Sequence, residues 1–197
     1  MKRIGIDIDG TVADYIATAA PLIEETYGLT YNPNLKCGRL EELFGINREQ
    51  LKDLKNTLYV GQRLFEKLGP LEHDNHLLTF YLRKELKPIK IYFVTARDPH
   101  PVIVNGTREW LNNNTHDYDD IFHVEDKAAF CKQAGISVMI EDDERHLVKL
   151  LDSGIHCVVM DQVWNRSFKP EPGENKGTLR RAYNWREAYV AAKELLQ

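Results

Sequence analysis

The chain is poor in cysteine, has no long apolar run and carries no excess of positive charge, and each shortage excludes something. Cys37, Cys131 and Cys157 are odd in number, far apart and without Cys-x-x-Cys spacing. They read as reduced thiols of a cytoplasmic protein. No apolar stretch approaches the ~18 residues that a membrane span needs. A strand starts so near Met1 that no signal peptide is expected. The net charge of −4 argues against a nucleic-acid-binding surface as the main business. Lys169, Lys176, Arg180, Arg181 and Arg186 face only Glu171, Glu174 and Glu187, a weak local excess that reads as a solvated face. No repeat or low-complexity segment occurs.

What is present suits an ordinary globular protein, with 43% hydrophobic and 28% charged residues. At 197 residues the chain fits one domain with a sizeable insertion. Apolar strand candidates recur at 2–8, 89–94, 121–124, 136–140 and 155–160, several of them near-continuous Ile/Val/Met runs typical of parallel strands buried on both faces. Helical patterns alternate with them at 75–86, 102–112, 127–134, 143–151 and 185–196. In the 143–151 segment Leu147, Val148, Leu150 and Leu151 form an apolar face, with Asp142 or Asp143 placed to cap it. This alternation predicts an α/β fold, a doubly wound, Rossmann-like parallel sheet whose ligands bind beyond the carboxyl ends of the strands.

One interval breaks the pattern. From Asp14 to about Leu71 no buried strand is expected, only a helix over 13–27 kinked or divided by Pro21, a short turn at 40–44 and a charged helix over 48–58. The expected organisation is an α/β core of residues 1–14 and 72–197 with a small helical cap, 15–71, inserted after the first strand. Ser167–Gly177, with two prolines, reads as a surface loop before the last helix.

The chemistry concentrates at strand ends. The first strand runs into Asp7-Ile8-Asp9-Gly10-Thr11-Val12-Ala13-Asp14. Alternation along a strand points Asp7 and Asp9 the same way, and two carboxylates so close call for a divalent cation or a shared proton. Gly10 permits the sharp turn that leaves them at an open strand end. The second strong strand ends in Thr95-Ala96-Arg97, Lys127 opens a helix, and the fourth strand ends in Glu141-Asp142-Asp143. Each has an ordinary reading as a cap or surface residue; their order describes a site.

That order resembles the haloacid dehalogenase-like phosphatase superfamily, whose four motifs it reproduces. Within it the chain resembles the 5′(3′)-deoxyribonucleotidase group, on the small helical cap and on Asp161-Gln162-Val163-Trp164-Asn165-Arg166 after the last strand. Thr95-Ala96-Arg97 departs from the Thr-Ser-Pro of the animal enzymes. The resemblance implies a Mg²⁺-dependent phosphomonoester hydrolase in which Asp7 attacks phosphorus and forms an aspartyl-phosphate. Asp7, the backbone carbonyl of Asp9 and Asp142 would hold Mg²⁺. Lys127 would bridge Asp7 and the phosphoryl group, Thr95 would donate a hydrogen bond to it, and Asp9 would be the general acid and base. An Asp at the position of Asp9 favours phosphatases over transport ATPases and dehalogenases.

Two residues extend the site toward a substrate. Arg97, beside Thr95, is a candidate contact for the substrate's phosphate or sugar. Phe44, Tyr59 and Phe65 are cap aromatics, and Phe65 is the candidate to stack on a nucleobase, core packing of the cap being the alternative. His73 and His76 are three apart but lack a third metal ligand of comparable quality. The expected substrate is a nucleoside monophosphate. The alternatives are the same chemistry on a sugar phosphate or a polynucleotide end, and an inactive phosphate-binding relative.

Overall fold

A computed structural model describes residues 1–32, 37–115, 117–171, 173 and 176–197. The fold starts with β1 (Lys2–Ile6), β2 (Ala13–Asp14), α1 (Tyr15–Tyr27), α2 (Leu40–Leu43) and α3 (Arg48–Lys55). A π-helical turn (Asn56–Gly61), a 3₁₀ turn (Leu64–Glu66) and β3 (Gly69–Pro70) complete this half. Next come α4 (His76–Glu85), β4 (Ile89–Thr95), α5 (Pro101–Asn114), β5 (Asp120–His123), α6 (Lys127–Ala134) and β6 (Val138–Glu141). The chain closes with α7 (Glu144–Asp152), β7 (His156–Met160), β8 (Leu179–Ala182) and α8 (Trp185–Leu195).

Six strands form one sheet in the order β5-β4-β1-β6-β7-β8, and every pair in it is parallel. The expected doubly wound fold is therefore the observed one. β1 lies between β4 and β6, where the strand order reverses direction, and the crevice at such a switch point opens beyond its carboxyl end. The apolar runs are explained by burial on both faces: Val138 and Ile140 pack into one core layer, Met139 into the other. The first layer also contains Leu40, Leu43, Leu54, Leu58, Leu64 and Phe65, so the inserted segment shares its apolar core with the sheet. Trp110 Nε1 in α5 donates to the Leu68 carbonyl at 2.7 Å and fastens the end of the insert.

The structure departs from the sequence pattern at several points. β1 stops at Ile6 rather than Ile8, because the Ile8 carbonyl accepts from the amides of Val12 and Ala13 and turns the chain. Pro21 does not divide α1; the helix continues through it, with the proline ring exposed and Ala19, Ala20 and Ile23 buried. The helix expected over 48–58 starts on an Asn47–Gln50 capping box and passes into the π turn at Asn56. Val148 is exposed, since α7 turns only Leu147, Leu150 and Leu151 inward. β8 has no counterpart among the strand candidates: Leu-Arg-Arg-Ala is a half-exposed edge strand without an apolar run. It follows the loop expected at 167–177, of which Pro172, Glu174 and Asn175 lie outside the described residues. β2 pairs antiparallel with β3, a short ladder through which the insert leaves and rejoins the sheet. No helix among the described residues is long and apolar enough to cross a membrane.

Candidate active site

Asp7 follows β1 directly, its amide donating to the Ile140 carbonyl at 2.9 Å, so the neighbouring strand β6 sets its position. Lys127 reaches it from the start of α6, a helix capped by Asp126, whose carboxylate accepts from the Ala129 amide. Lys127 Nζ donates to Asp7 Oδ1 at 2.6 Å and to Glu141 Oε2 at 2.7 Å. Its side chain is 2% exposed, against 7% for Asp7 and 0% for Glu141, so these ion pairs are little screened by water. Asp142 is buried beside them, and carboxylate oxygens of Asp7, Glu141 and Asp142 lie within 4.8 Å of one another.

Such crowding moves the proton equilibria. Burial, then the Glu141 charge, raises the Asp7 pKa to about 7 against the pull of Lys127. Burial, then Glu141 and Asp7, pushes Asp142 well above the ordinary carboxylate range. Burial would raise Glu141 as well, but Lys127 and His146 outweigh it and hold its pKa at about 2. Burial disfavours the charged amine of Lys127, yet Asp7 and Glu141 raise its pKa above the usual value.

Asp142 is held by what precedes and follows it. Gly10 has φ +78°, and a Cβ there would come 2.3 Å from Asp142 Oδ2, so only glycine fits the turn beside this carboxylate. Asn165 Nδ2 donates to the Asp142 carbonyl at 2.9 Å and to the Met160 carbonyl at 2.8 Å, tying the end of β6 to the end of β7. Gln162 Nε2 donates to the Gly10 carbonyl at 2.8 Å. The segment after the last core strand thus supports the site from below. Asp143 is otherwise engaged: it caps α7 and pairs with Arg145.

Thr95, at the end of β4, is 1% exposed, and its Oγ1 accepts from the Arg97 amide at 3.2 Å. Arg97 is differently employed from the expected substrate contact. Its Nε and Nη2 donate to the two oxygens of Asp9 at 2.8 and 2.7 Å, and Nη1 donates to Thr107 Oγ1 at 2.9 Å. Its guanidinium also lies over the Phe65 ring, 4.1 Å from the centroid. The sequence shows the position of this arginine, but not that three of its nitrogens are engaged within the protein. Phe65 is 3% exposed, with Tyr59 4.7 Å and Tyr15 6.5 Å away between ring centroids.

A cavity of about 740 Å³ joins these groups, lined by Asp7, Asp9, Thr95, Arg97, Lys127 and Asp142 from the strand ends and by Tyr15, Lys55, Tyr59 and Phe65 from the insert. Every expected site residue borders it. Phe44 does not; it packs against Tyr31. Sequence reasoning placed Glu141 in the acidic cluster that closes β6 but gave it no role of its own, and it missed Tyr15, the first residue of α1. Among the described residues, Asp7, Glu141 and Asp142 are the one cluster with metal-ligand spacing, and His73 and His76 belong to none.

The family model described as 5′ nucleotidase, deoxy (Pyrimidine), cytosolic type C protein matches residues 1–195. A curated relative, "Putative nucleotidase YqfW" of Bacillus subtilis (strain 168), is 26% identical over 170 residues, 84% of this chain and 83% of its own. Among solved structures, a haloacid dehalogenase-like family hydrolase from Streptococcus pneumoniae superposes with a TM-score of 0.65 at 15% identity, over 96% of this chain and 97% of its own. A protein from Thermotoga maritima described as a putative beta-phosphoglucomutase gives 0.61 at 15% identity over 100% of both chains. At these identities the structural likeness speaks for the fold alone.

Proposed function

The chain belongs to the 5′ nucleotidase, deoxy (Pyrimidine), cytosolic type C family, within the haloacid dehalogenase-like phosphatases, and from that premise we propose that it hydrolyses nucleoside monophosphates through a phosphoryl-Asp7 intermediate with the help of Mg²⁺. The observation that carries this reading is Asp7: a buried carboxylate at the end of the central strand, 2.6 Å from a lysine amine, on the wall of a substrate-sized cavity.

The donor set suits a hard divalent cation. Three buried carboxylates crowd within 4.8 Å of one another with one lysine among them, and oxygen ligands are what Mg²⁺ prefers. Asp7, Asp142 and the backbone carbonyl of Asp9 would hold it, with Glu141 kept in place by Lys127. When bound, the ion supplies charge neutralisation that lets a carboxylate approach a phosphate dianion.

The chain's own groups do the rest. Asp7 attacks phosphorus in line, the ester oxygen leaves, and water later cleaves the acyl phosphate to regenerate the carboxylate. Lys127 Nζ, fixed between Asp7 and Glu141, and Thr95 Oγ1 donate to the phosphoryl oxygens as charge develops on them. Asp9 is the group that protonates the leaving oxygen and then takes the proton of the attacking water. Both of its oxygens accept from Arg97, so that contact loosens on one oxygen when the substrate's leaving group approaches.

Residues 15–71 act in this reading as a cap over the core of 1–14 and 72–197, and their aromatic wall, Tyr15 and Tyr59 backed by the buried Phe65, meets the nucleobase. A sugar phosphate is the second reading, favoured by the Arg97 guanidinium that already covers one side of Phe65. The three free thiols suit a cytoplasmic setting, and a charge of −4 disfavours nucleic acid or an anionic membrane as partner. Phosphate release measured over nucleotides and sugar phosphates, with Mg²⁺ and after chelation, tests the reading. At least one nucleoside monophosphate should be hydrolysed faster than every sugar phosphate, and chelation should abolish turnover. Higher kcat/KM on sugar phosphates throughout would leave only the phosphatase class.

A further inference from the structure

Trp164 takes no part in the proposed reaction, yet it touches both halves of the site. Its indole Nε1 donates to Asp142 Oδ2 at 3.0 Å. The same ring packs against Gly38 of the insert, where a Cβ would sit 3.1–3.2 Å from Cε2, Cδ2 and Nε1. Trp164 and Gly38 both line the cavity. The backbone carrying the indole has little freedom. Its neighbour Asn165 is tied to the Asp142 and Met160 carbonyls, and Arg181 donates to both the side-chain and the backbone oxygen of Asn165 at 2.8 Å.

A rigid ring therefore stands between a site carboxylate and a glycine of the insert. The Asp142 carboxylate has two side-chain donors among the described residues, this indole and the Thr11 hydroxyl at 3.4 Å. The indole bond, to Oδ2, is the shorter of the two. Any side chain at position 38 would press the ring by a few tenths of an ångström, and the pressed ring is the one bonded to Asp142. We propose that Trp164 is a positioning residue: it orients Asp142 for a divalent cation and couples that orientation to the seating of the insert at Gly38. The proposal rests on the reading of Asp142 as a metal ligand. Groups that orient a ligand commonly change metal affinity 10–100-fold when removed.

The test is calorimetric titration of Mg²⁺ into the wild type, Trp164→Phe, Gly38→Val and the double variant, with melting temperatures alongside. Trp164→Phe keeps an aromatic ring against Gly38 and deletes the N–H. It should bind Mg²⁺ about ten-fold more weakly at an unchanged melting temperature. Gly38→Val should weaken Mg²⁺ binding when Trp164 is present and have little further effect in the Trp164→Phe background, because the phenyl ring no longer grips Asp142. Wild-type affinity in Trp164→Phe, or strictly additive effects in the double variant, overturns the proposal while leaving the metal reading standing. A wild type that binds no Mg²⁺ overturns both.

Discussion

On the sheet side of the cavity, Asp7, Lys127 and Glu141 are almost wholly buried, and the lysine is bonded to both carboxylates. On the insert side, Lys55 and Asn56 are exposed and Tyr59 is half-buried. Their backbone is irregular too: a π-helical turn runs from Asn56 to Gly61, and Arg63 takes the left-handed conformation with φ +54° just before Phe65. One wall is organised by charge and held by strand ends. The other is organised by aromatic packing and held by local backbone geometry. In the proposed function the first wall performs the reaction and the second chooses what enters, so substitutions on the two walls should fail in different ways.

The largest effect belongs to the first wall. Asp7→Asn should lower kcat by several orders of magnitude, since an amide cannot attack phosphorus. It should not lower the melting temperature of the metal-free protein. Burial raises the Asp7 pKa to about 7, above the unfolded value of 3.8, so its ionised form costs stability as pH rises through that interval. Phosphate release and thermal melts check both halves, and more than a few per cent of wild-type rate would remove Asp7 from its role.

A smaller contrast separates neighbouring carboxylates. Asp142→Ala should raise the Mg²⁺ concentration needed for half-maximal rate far more than Asp143→Ala, because Asp142 faces Asp7 while Asp143 caps α7. Asp143→Ala should instead cost about 1 kcal/mol of stability as a lost cap. Titrating activity against Mg²⁺ in both variants settles the order, and the reverse ranking would mean that the wrong carboxylate was assigned.

The smallest effect is expected on the second wall. Phe65→Leu, which keeps an apolar side chain beneath Arg97 and removes the ring, should raise KM for a nucleoside monophosphate several-fold and barely change hydrolysis of a small aryl phosphate. Equal effects on the two substrates would make Phe65 a packing residue only.

The same contrast explains what can be read from the sequence. Buried parallel strands write themselves as Ile/Val runs, and the groups at their ends follow at fixed positions, so the sheet and the positions of Asp7, Thr95, Lys127 and Asp142 are legible. β8 is not, because an edge strand exposes one face and needs no apolar run. Arg97 is legible as a position, but its partners are hidden: Asp9 and Thr107 meet it only after β1, β4 and α5 are packed. Trp164 likewise depends on a contact between an insert glycine and a loop distant in sequence. The π turn after α3 replaces an expected helix end, a local choice that the charged Arg48–Lys55 pattern does not announce.

The central claim is that Asp7 carries the phosphoryl group, and rapid quenching in acid with a nucleoside monophosphate labelled at phosphorus tests it most directly. Peptide mapping of protein quenched within the first turnover should find the label on the peptide that contains Asp7, acid-stable and released by hydroxylamine as an acyl phosphate is. Label on another residue, or rapid turnover in which no labelled protein ever forms, would contradict the account.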